Sequence, residues 1–383
     1  MMTSRLLSSS LKNPFNQLRM VIEGILFNHY SQTLNLNYLR NHPKSKPRIL
    51  FVADCFMPFG GAESRIASQI EYLQSIGYEC YLFTQFNQNE RLLKFQNLFL
   101  KKFFTTSFEK RLLEILSVGN FDHVEFVFKT WRYIKSTNIS RLKSKYRVGC
   151  SILNAISMPN EMIGTFDYRV SFYTLDIPEW TVIKNWLASP VNPSWTYDNQ
   201  KKALYIARLA PGKMIPLKNF LDICEQYGLD YDIMGPIIKP HRKDVREQLS
   251  RIPPDSFLPA SDTIPFLKNN LSRYCLIAGE GLVPPEAASL GFPVLVLSQK
   301  VDGRSTILTN ENFDMLFRWN FVINNIPNEV PLVGVDNFIK NLTKGDLNHY
   351  RIDAHHFNLL SVHEAMKKYL PLLKQKTPKG PML

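Results

Sequence analysis

No stretch of this 383-residue chain reaches the ~18 consecutive apolar residues that a membrane-spanning helix requires, so it offers no transmembrane candidate. Cysteine is sparse: five in all, at Cys55, Cys80, Cys150, Cys224 and Cys275, widely spaced and mostly inside apolar runs. An odd number at such spacing excludes a disulfide framework and a zinc site, and suits buried thiols of a reducing cytoplasm. The N-x-S/T matches at Asn138, Asn270 and Asn341 are then chance occurrences. No cluster of carboxylates stands at metal-ligand spacing, so no metal is expected to be required. Zinc-finger spacing, an RNA-recognition signature and a long basic run are all missing, so nucleic acid is not an expected partner. Fixed-period repeats and long low-complexity stretches are missing too, which argues against a repeat architecture.

What is present is ordinary globular material, 45% hydrophobic and 21% charged, in a chain long enough for two cores. The net charge of +13 favours anionic partners such as phosphate-bearing substrates or an anionic membrane face. Residues 1–46 form a basic extension, with Arg5, Lys12, Arg19, Arg40, Lys44 and Lys46 against the single acid Glu23. Within it, Leu18–Phe27 has the make-up of a short amphipathic helix lying on anionic lipid; an organelle transit peptide and an extra helix packed on the first domain are the other readings.

From Pro47 the pattern becomes regular. Ile49–Ala53 is a continuous apolar run of strand length. A helix is expected from about Ala62, since Ile66, Ile70 and Leu73 share a face, and Gly77 stands where its C-terminal cap belongs. Cys80–Phe83 is the next strand, which completes a βαβ unit of the kind that builds parallel sheets. Further strands are expected near His123–Phe128, Arg147–Ile152 and Arg169–Tyr173. Ala188–Gln200, with its prolines, asparagines and serines, reads as a linker. The alternation then restarts with strands at Ala203–Ala207, Tyr231–Met234, Tyr274–Ala278 and Val294–Leu297, and helices over Leu217–Cys224 and Arg242–Leu249. One last helix is expected from about Ala354 to Lys374, with His356 and His363 on one solvated face. The fold class is therefore α/β, two successive units whose strand ends face one cleft.

Three stretches carry candidate chemistry. Pro58-Phe59-Gly60-Gly61-Ala62-Glu63 joins a strand to a helix, where glycines let a ligand approach the backbone and helix amides receive an anion. Arg208 leaves a strand end and Lys213 follows in a Pro-Gly loop, a pair of cations suited to a diphosphate. In Ala278–Ala288, Gly279, Glu280, Gly281 and Leu282 lead to a helix whose first turn holds Glu286 and Ala287; a carboxylate there can accept from a ribose diol or merely cap the helix.

Taken together, these stretches resemble the family 4 retaining glycosyltransferases, which have the GT-B architecture of two Rossmann-like domains facing across a cleft. Gly60-Gly61-Ala62-Glu63 is similar to that family's "GGAE" signature, and Ala207–Lys213 to its "GRLsxeK". Glu286–Val294 matches its "EAxaxGxPV" run, and Val301–Arg304 resembles the "vGG" that follows. The resemblance implies an N-terminal acceptor domain over 47–188, a C-terminal nucleotide-sugar donor domain over 189–345, and a segment 346–383 whose helix crosses back. It implies catalytic roles for Arg208 and Lys213 on the donor diphosphate and for Glu286 on the ribose. Gly60, Gly61, Gly279, Glu280, Gly281, Leu282 and Ala287 would line the donor site, with Glu63 and His123 on the acceptor side. The donor would be a nucleoside-diphosphate sugar, the acceptor a glycan or lipid-linked hydroxyl, with peripheral contact to an anionic membrane. In one respect the chain departs from the pattern. The family's other glutamate falls eight positions before Glu286, where this sequence has Ala278, with Glu280 as the candidate substitute. The competing expectation is a catalytically inactive subunit that scaffolds glycan assembly.

Overall fold

The structure is a computed structural model that describes residues 36, 38–56, 61–87, 92, 98–100, 107–152, 158, 162, 164–172, 179–187, 193–197, 201–238, 242–300, 305–322, 332–345 and 347–374. The amphipathic stretch Leu18–Phe27, Gly60 and the Val301–Arg304 segment lie outside the described residues. No helix among the described residues is long and apolar enough to cross a membrane.

The first sheet grows outward from β1 (Arg48–Val52), all five of whose residues are buried. A run apolar on both faces suits a central parallel strand. The chain turns through the short strand β2 (Cys55–Phe56) into α1 (Gly61–Ser75), whose Ile66, Ile70 and Leu73 are buried. Gly77, at φ +96°, then adopts the left-handed conformation that side chains resist. β3 (Glu79–Thr84) follows beside β1, and β4 (Phe86–Asn87) pairs with β2. After β5 (Leu98–Leu100) come α2 (Phe108–Gly119), β6 (His123–Val127), α3 (Ser136–Lys143), β7 (Arg147–Ile152), β8 (Tyr168–Ser171) and β9 (Thr181–Val182). The spatial order β5-β3-β1-β6-β7-β8-β9 is parallel throughout. Leu36 and Leu39, the described end of the N-terminal extension, are buried in this domain's core.

The second sheet repeats the plan. β10 (Lys202–Ile206) leads to α4 (Met214–Tyr227), which buries Leu217, Phe220, Leu221 and Cys224 and ends at Gly228 in the left-handed region. β11 (Asp230–Met234), α5 (Lys243–Leu249), β12 (Phe257–Leu258), α6 (Thr263–Lys268), β13 (Leu276–Gly279), α7 (Val283–Ala288), β14 (Val294–Val296) and the antiparallel β15 (Thr306–Ile307) follow. Its order is β12-β11-β10-β13-β14-β15. In both sheets the order reverses beside the first strand, the doubly wound Rossmann arrangement. The α/β alternation in the sequence thus resolves into two Rossmann-like sheets. The linker's described part already belongs to the second one: the amides of Ser194 and Trp195 both donate to the Leu290 carbonyl, at 3.0 and 2.9 Å.

After α8 (Asn310–Arg318) and α9 (Val335–Lys344), the single terminal helix read from the sequence proves to be two. α10 (Ala354–Asn358) buries Phe357 in the C-terminal core, whereas α11 (Val362–Lys374) buries Ala365, Met366, Tyr369 and Leu373 in the N-terminal one. One straight helix cannot present the same face to two cores. The chain therefore breaks between them, and the Leu187 amide takes the Leu360 carbonyl at 2.7 Å. The two histidines consequently part company. His356 is buried against the Phe313 ring with its Nδ1 3.3 Å from Asp314, and His363 meets the Tyr72 hydroxyl at 3.1 Å.

α11 is held by more than apolar contact. The fully buried Glu125 of β6 accepts from the hydroxyls of Ser151, Tyr168 and Tyr369. Burial pushes this carboxyl up to about 7, against the pull of the Ser151 and Tyr168 hydrogen bonds and of nearby Arg65. Tyr369→Phe removes one donor from a buried carboxyl and is expected to destabilise the protein by about 1–3 kcal/mol. Urea unfolding reads this directly, and an unchanged midpoint would mean that apolar packing alone holds the helix.

Candidate functional site

Because every strand of a parallel sheet ends on the same edge, the loops after β10 and β13 emerge together. The chain leaves β10 toward β11 and leaves β13 toward β14, so the crevice between them is the switch point at which such sheets bind ligands. Arg208 stands two residues beyond β10, and Lys213 closes the short 3-10 turn Pro211–Lys213 that feeds α4. Glu280 is the first residue after β13, and its side chain is only 4% exposed. Lys213 forms an ion pair with the Glu280 carboxylate, which also accepts from the Gln299 amide. The structure thus brings Arg208, Lys213 and Glu280 to one crevice.

Arg208 has its carboxylate partner in the other domain. Its Nη2 lies 2.8 Å from Oε2 of Glu63, in the first turn of α1. A carboxylate there is favoured by the helix dipole. Beside this pair Gly61 faces Leu282: a Cβ on Gly61 would come within 2.8 Å of the leucine Cδ1. The N-terminal glycine loop and the C-terminal donor loop therefore touch, and Leu282 is buried between them.

The glycines after β13 do separate jobs. A Cβ on Gly279 would sit 2.7 Å from Val283 Cγ1 and 3.2 Å from the Ile206 carbonyl, so only glycine allows β10 and α7 to close around it. Gly281 adopts φ +71°, which turns the chain into α7. Glu286 lies half-buried on α7 and accepts from the Thr263 hydroxyl of α6. Its burial pushes the carboxyl up to about 7; the Thr263 hydrogen bond opposes the rise and Asp262 adds to it.

Several expectations need correction. His123 is the first residue of β6, at the amino-terminal edge of its sheet, whereas ligands bind beyond the carboxyl ends. Burial there lowers its imidazole to about 4, and it has no place at the cleft. Ala287 is completely buried in the C-terminal core, so its side chain does not line a donor site. Ala278, also 0% exposed, pairs within the sheet with Tyr205 and Leu295. The residue eight before Glu286 therefore points into packing, and the carboxylate that reaches the crevice is Glu280. Among the described residues no group of three or more His, Cys, Asp or Glu side chains is placed to hold a metal ion.

Sequence reasoning missed two contributors. Gly235, at φ +148°, carries the loop after β11 so close to β10 that a Cβ would lie 1.8 Å from the Ala207 carbonyl, next to Arg208. A glycine directly at a strand's carboxyl end was the available signal. The other is the turn at Asn320 and Phe321, both at positive φ. Asn320 donates to the Phe172 carbonyl and accepts from the Asn185 amide at 3.3 Å, a second tie between domains. Nothing in its local sequence marks it.

Glu286 has a testable signature. Its folded value of about 7 exceeds the ordinary 4.5, so the folded state binds more protons in that interval. The stabilisation is complete below about pH 4.5 and is lost as pH rises through about 7. Glu125 contributes in the same direction and window. Glu286→Gln is expected to reduce the loss of stability between about pH 5 and about pH 8 without abolishing it, as read by urea midpoints. An unaltered pH profile would show that Glu286 titrates as a solvated glutamate.

No family model matches the chain, and no curated protein matches it. Solved structures do. HepE of Anabaena, in complex with UDP and glucose, matches with a TM-score of 0.55 at 12% identity, over 86% of this chain and 99% of that one. An alpha-glucosyltransferase in complex with UDP gives 0.51 at 10% identity, over 86% and 100%. The lipopolysaccharide outer core galactosyltransferase WaaB, in its apo form, gives 0.51 at 13% identity, over 85% and 99%. At such identities the likeness is one of fold, and the fold is GT-B: two Rossmann-like domains facing across a cleft.

Proposed function

We propose that this protein is a glycosyltransferase of the family 4 type, moving a sugar from a nucleoside-diphosphate sugar to a hydroxyl of a glycan or lipid-linked acceptor with retained anomeric configuration. The observation that carries the reading is the meeting of Arg208, Lys213 and Glu280 at the switch point of the C-terminal sheet, opposite the first turn of α1. Two solved structures that share the fold, HepE and the alpha-glucosyltransferase, are complexes with UDP, which supports the reading.

In this reading Arg208 and Lys213 take the diphosphate, and their charge offsets what develops on the departing nucleotide. Positioning and electrostatic stabilisation supply the catalysis, without a metal. Glu286 accepts from the ribose. Glu280, buried at the end of β13, faces the donor sugar, the role that Ala278 cannot fill. A cell-surface polysaccharide as product, and work at a cytoplasmic membrane face, agree with the net charge of +13.

Thermal unfolding against UDP, GDP, ADP and CMP tests the donor site without an acceptor. A ligand at about 100 times its Kd adds about 2.7 kcal/mol to folded-state stability. One nucleotide is expected to raise the Tm, with the shift lost in Lys213→Ala and in Arg208→Ala. No shift with any of the four would favour the inactive scaffolding subunit. For the enzyme itself, Glu280→Gln is expected to lower kcat by ~100-fold, the scale seen when one preorganised electrostatic group is removed. Unchanged turnover would take Glu280 out of the chemistry.

A further inference from the structure

Of the two cations at the crevice, Lys213 pairs with a carboxylate of its own domain and Arg208 with one of the other. The Glu63 side chain is 4% exposed and that of Arg208 35%, so the pair is desolvated chiefly on the carboxylate's side. The contact spans 145 residues of sequence and two separate sheets. Gly61, two residues before Glu63, interlocks with Leu282 at the same point.

We propose that Glu63 is an internal competitor for the donor's phosphates: its carboxylate occupies the Arg208 guanidinium, and a nucleoside diphosphate binds only by displacing it. The proposal rests on the donor-site reading above. An arginine fork presents a limited set of donors, and a carboxylate oxygen at 2.8 Å takes one of them directly. It also cancels the charge that a diphosphate needs. A diphosphate carries more charge and more acceptor oxygens than one carboxylate, so it can win this exchange. A nucleoside makes no demand on Arg208 and does not enter the exchange. Glu63 thereby acts as a specificity-determining residue that lowers affinity for diphosphate-bearing ligands and leaves that for the nucleoside alone unchanged, which narrows the margin between them.

The displacement also changes how the domains meet. Once Arg208 turns to phosphate, Glu63 is left as a buried carboxylate without that cation, an arrangement that low-dielectric surroundings penalise. The loss acts on the first turn of α1, on which Gly61 also rides, and disfavours its contact with the donor loop. Ligand binding and domain contact are thus two sides of one equilibrium, and each biases the other.

The test is calorimetric titration of UDP, GDP and ADP, their nucleosides and inorganic pyrophosphate into the full chain, as wild type, Glu63→Gln and Glu63→Asp. Glutamine keeps the shape without the charge; aspartate keeps the charge but is one methylene short of Arg208. The nucleoside diphosphate that binds, and pyrophosphate, are expected to bind about tenfold more tightly to Glu63→Gln, with the nucleoside unchanged. Glu63→Asp is expected to shift in the same direction by less, and it serves if the glutamine variant fails to fold. Unchanged or weaker diphosphate binding in a folded variant, with the wild type binding normally, overturns the proposal and leaves the donor site intact. If neither wild type nor variants bind any of these ligands, the donor reading fails and this proposal falls with it.

Discussion

In a parallel sheet all strands point the same way, and each must be followed by a crossover that returns the chain to the starting edge. The turn out of every strand therefore lies on one edge, whatever the sequence between. Two such sheets set edge to edge create a single line along which turns from both domains meet. Arg208 after β10, Glu280 after β13 and Glu63 at the start of α1 are all turn or first-turn residues. They come together because the topology leaves them no other edge. His123 obeys the same constraint from the other side: as the first residue of a strand it is directed to the far edge, whatever its chemistry.

Several of the contacts between the domains are polar. Arg208 meets Glu63, Asn320 meets Phe172 and Asn185 through backbone groups, and Lys184 donates to the Arg318 carbonyl. Interfaces of this make-up inside a chain resemble transient rather than obligate ones, and relative motion is their default. α11 works in the opposite sense. It buries Met366, Tyr369 and Leu373 in the N-terminal core and ties Tyr369 to Glu125. The crossing segment thus adds an apolar and hydrogen-bonded tie to the contacts at the turn edges.

This division explains what the sequence made legible. β1, β3, β10, β13 and β14 were readable because central parallel strands are apolar on both faces, and α1 and α4 because their buried residues recur at helical spacing. Arg208, Lys213 and Glu286 were readable as candidates because residue type and position after a strand or in a first helical turn are local properties. Ion pairs across the cleft are not local: nothing near Glu63 in sequence announces Arg208. The terminal helix misled for a related reason. Its amphipathic pattern runs on from α10 to α11, and only the presence of two cores, each claiming a part, forces the break at Leu360. Ala278 misled because the spacing from Glu286 assumes a fixed loop length. The actual strand ends at Gly279, one residue short of the carboxylate that faces outward.

The charges at the crevice nearly cancel. Two cations, Arg208 and Lys213, face the carboxylates Glu63 and Glu280, each within ion-pair distance. Glu286, raised to about 7, adds less than a full negative charge near neutrality. A site built only to attract anions would show surplus positive charge, as a steering field does. Here the described cations are each matched by a carboxylate, although the whole chain carries +13. Such balance spares the folded state the repulsion of adjacent bare cations. On the proposed donor reading, an incoming diphosphate gains little from long-range attraction to these paired cations and gains from rearrangement once there. The geometry supplies one: Glu280 is fixed on the same domain as its lysine, but Glu63 leaves with its own domain. Separating the turn edges therefore uncovers one cation and keeps the other paired, so the positive field at the phosphate position is set by how far apart the two sheets stand.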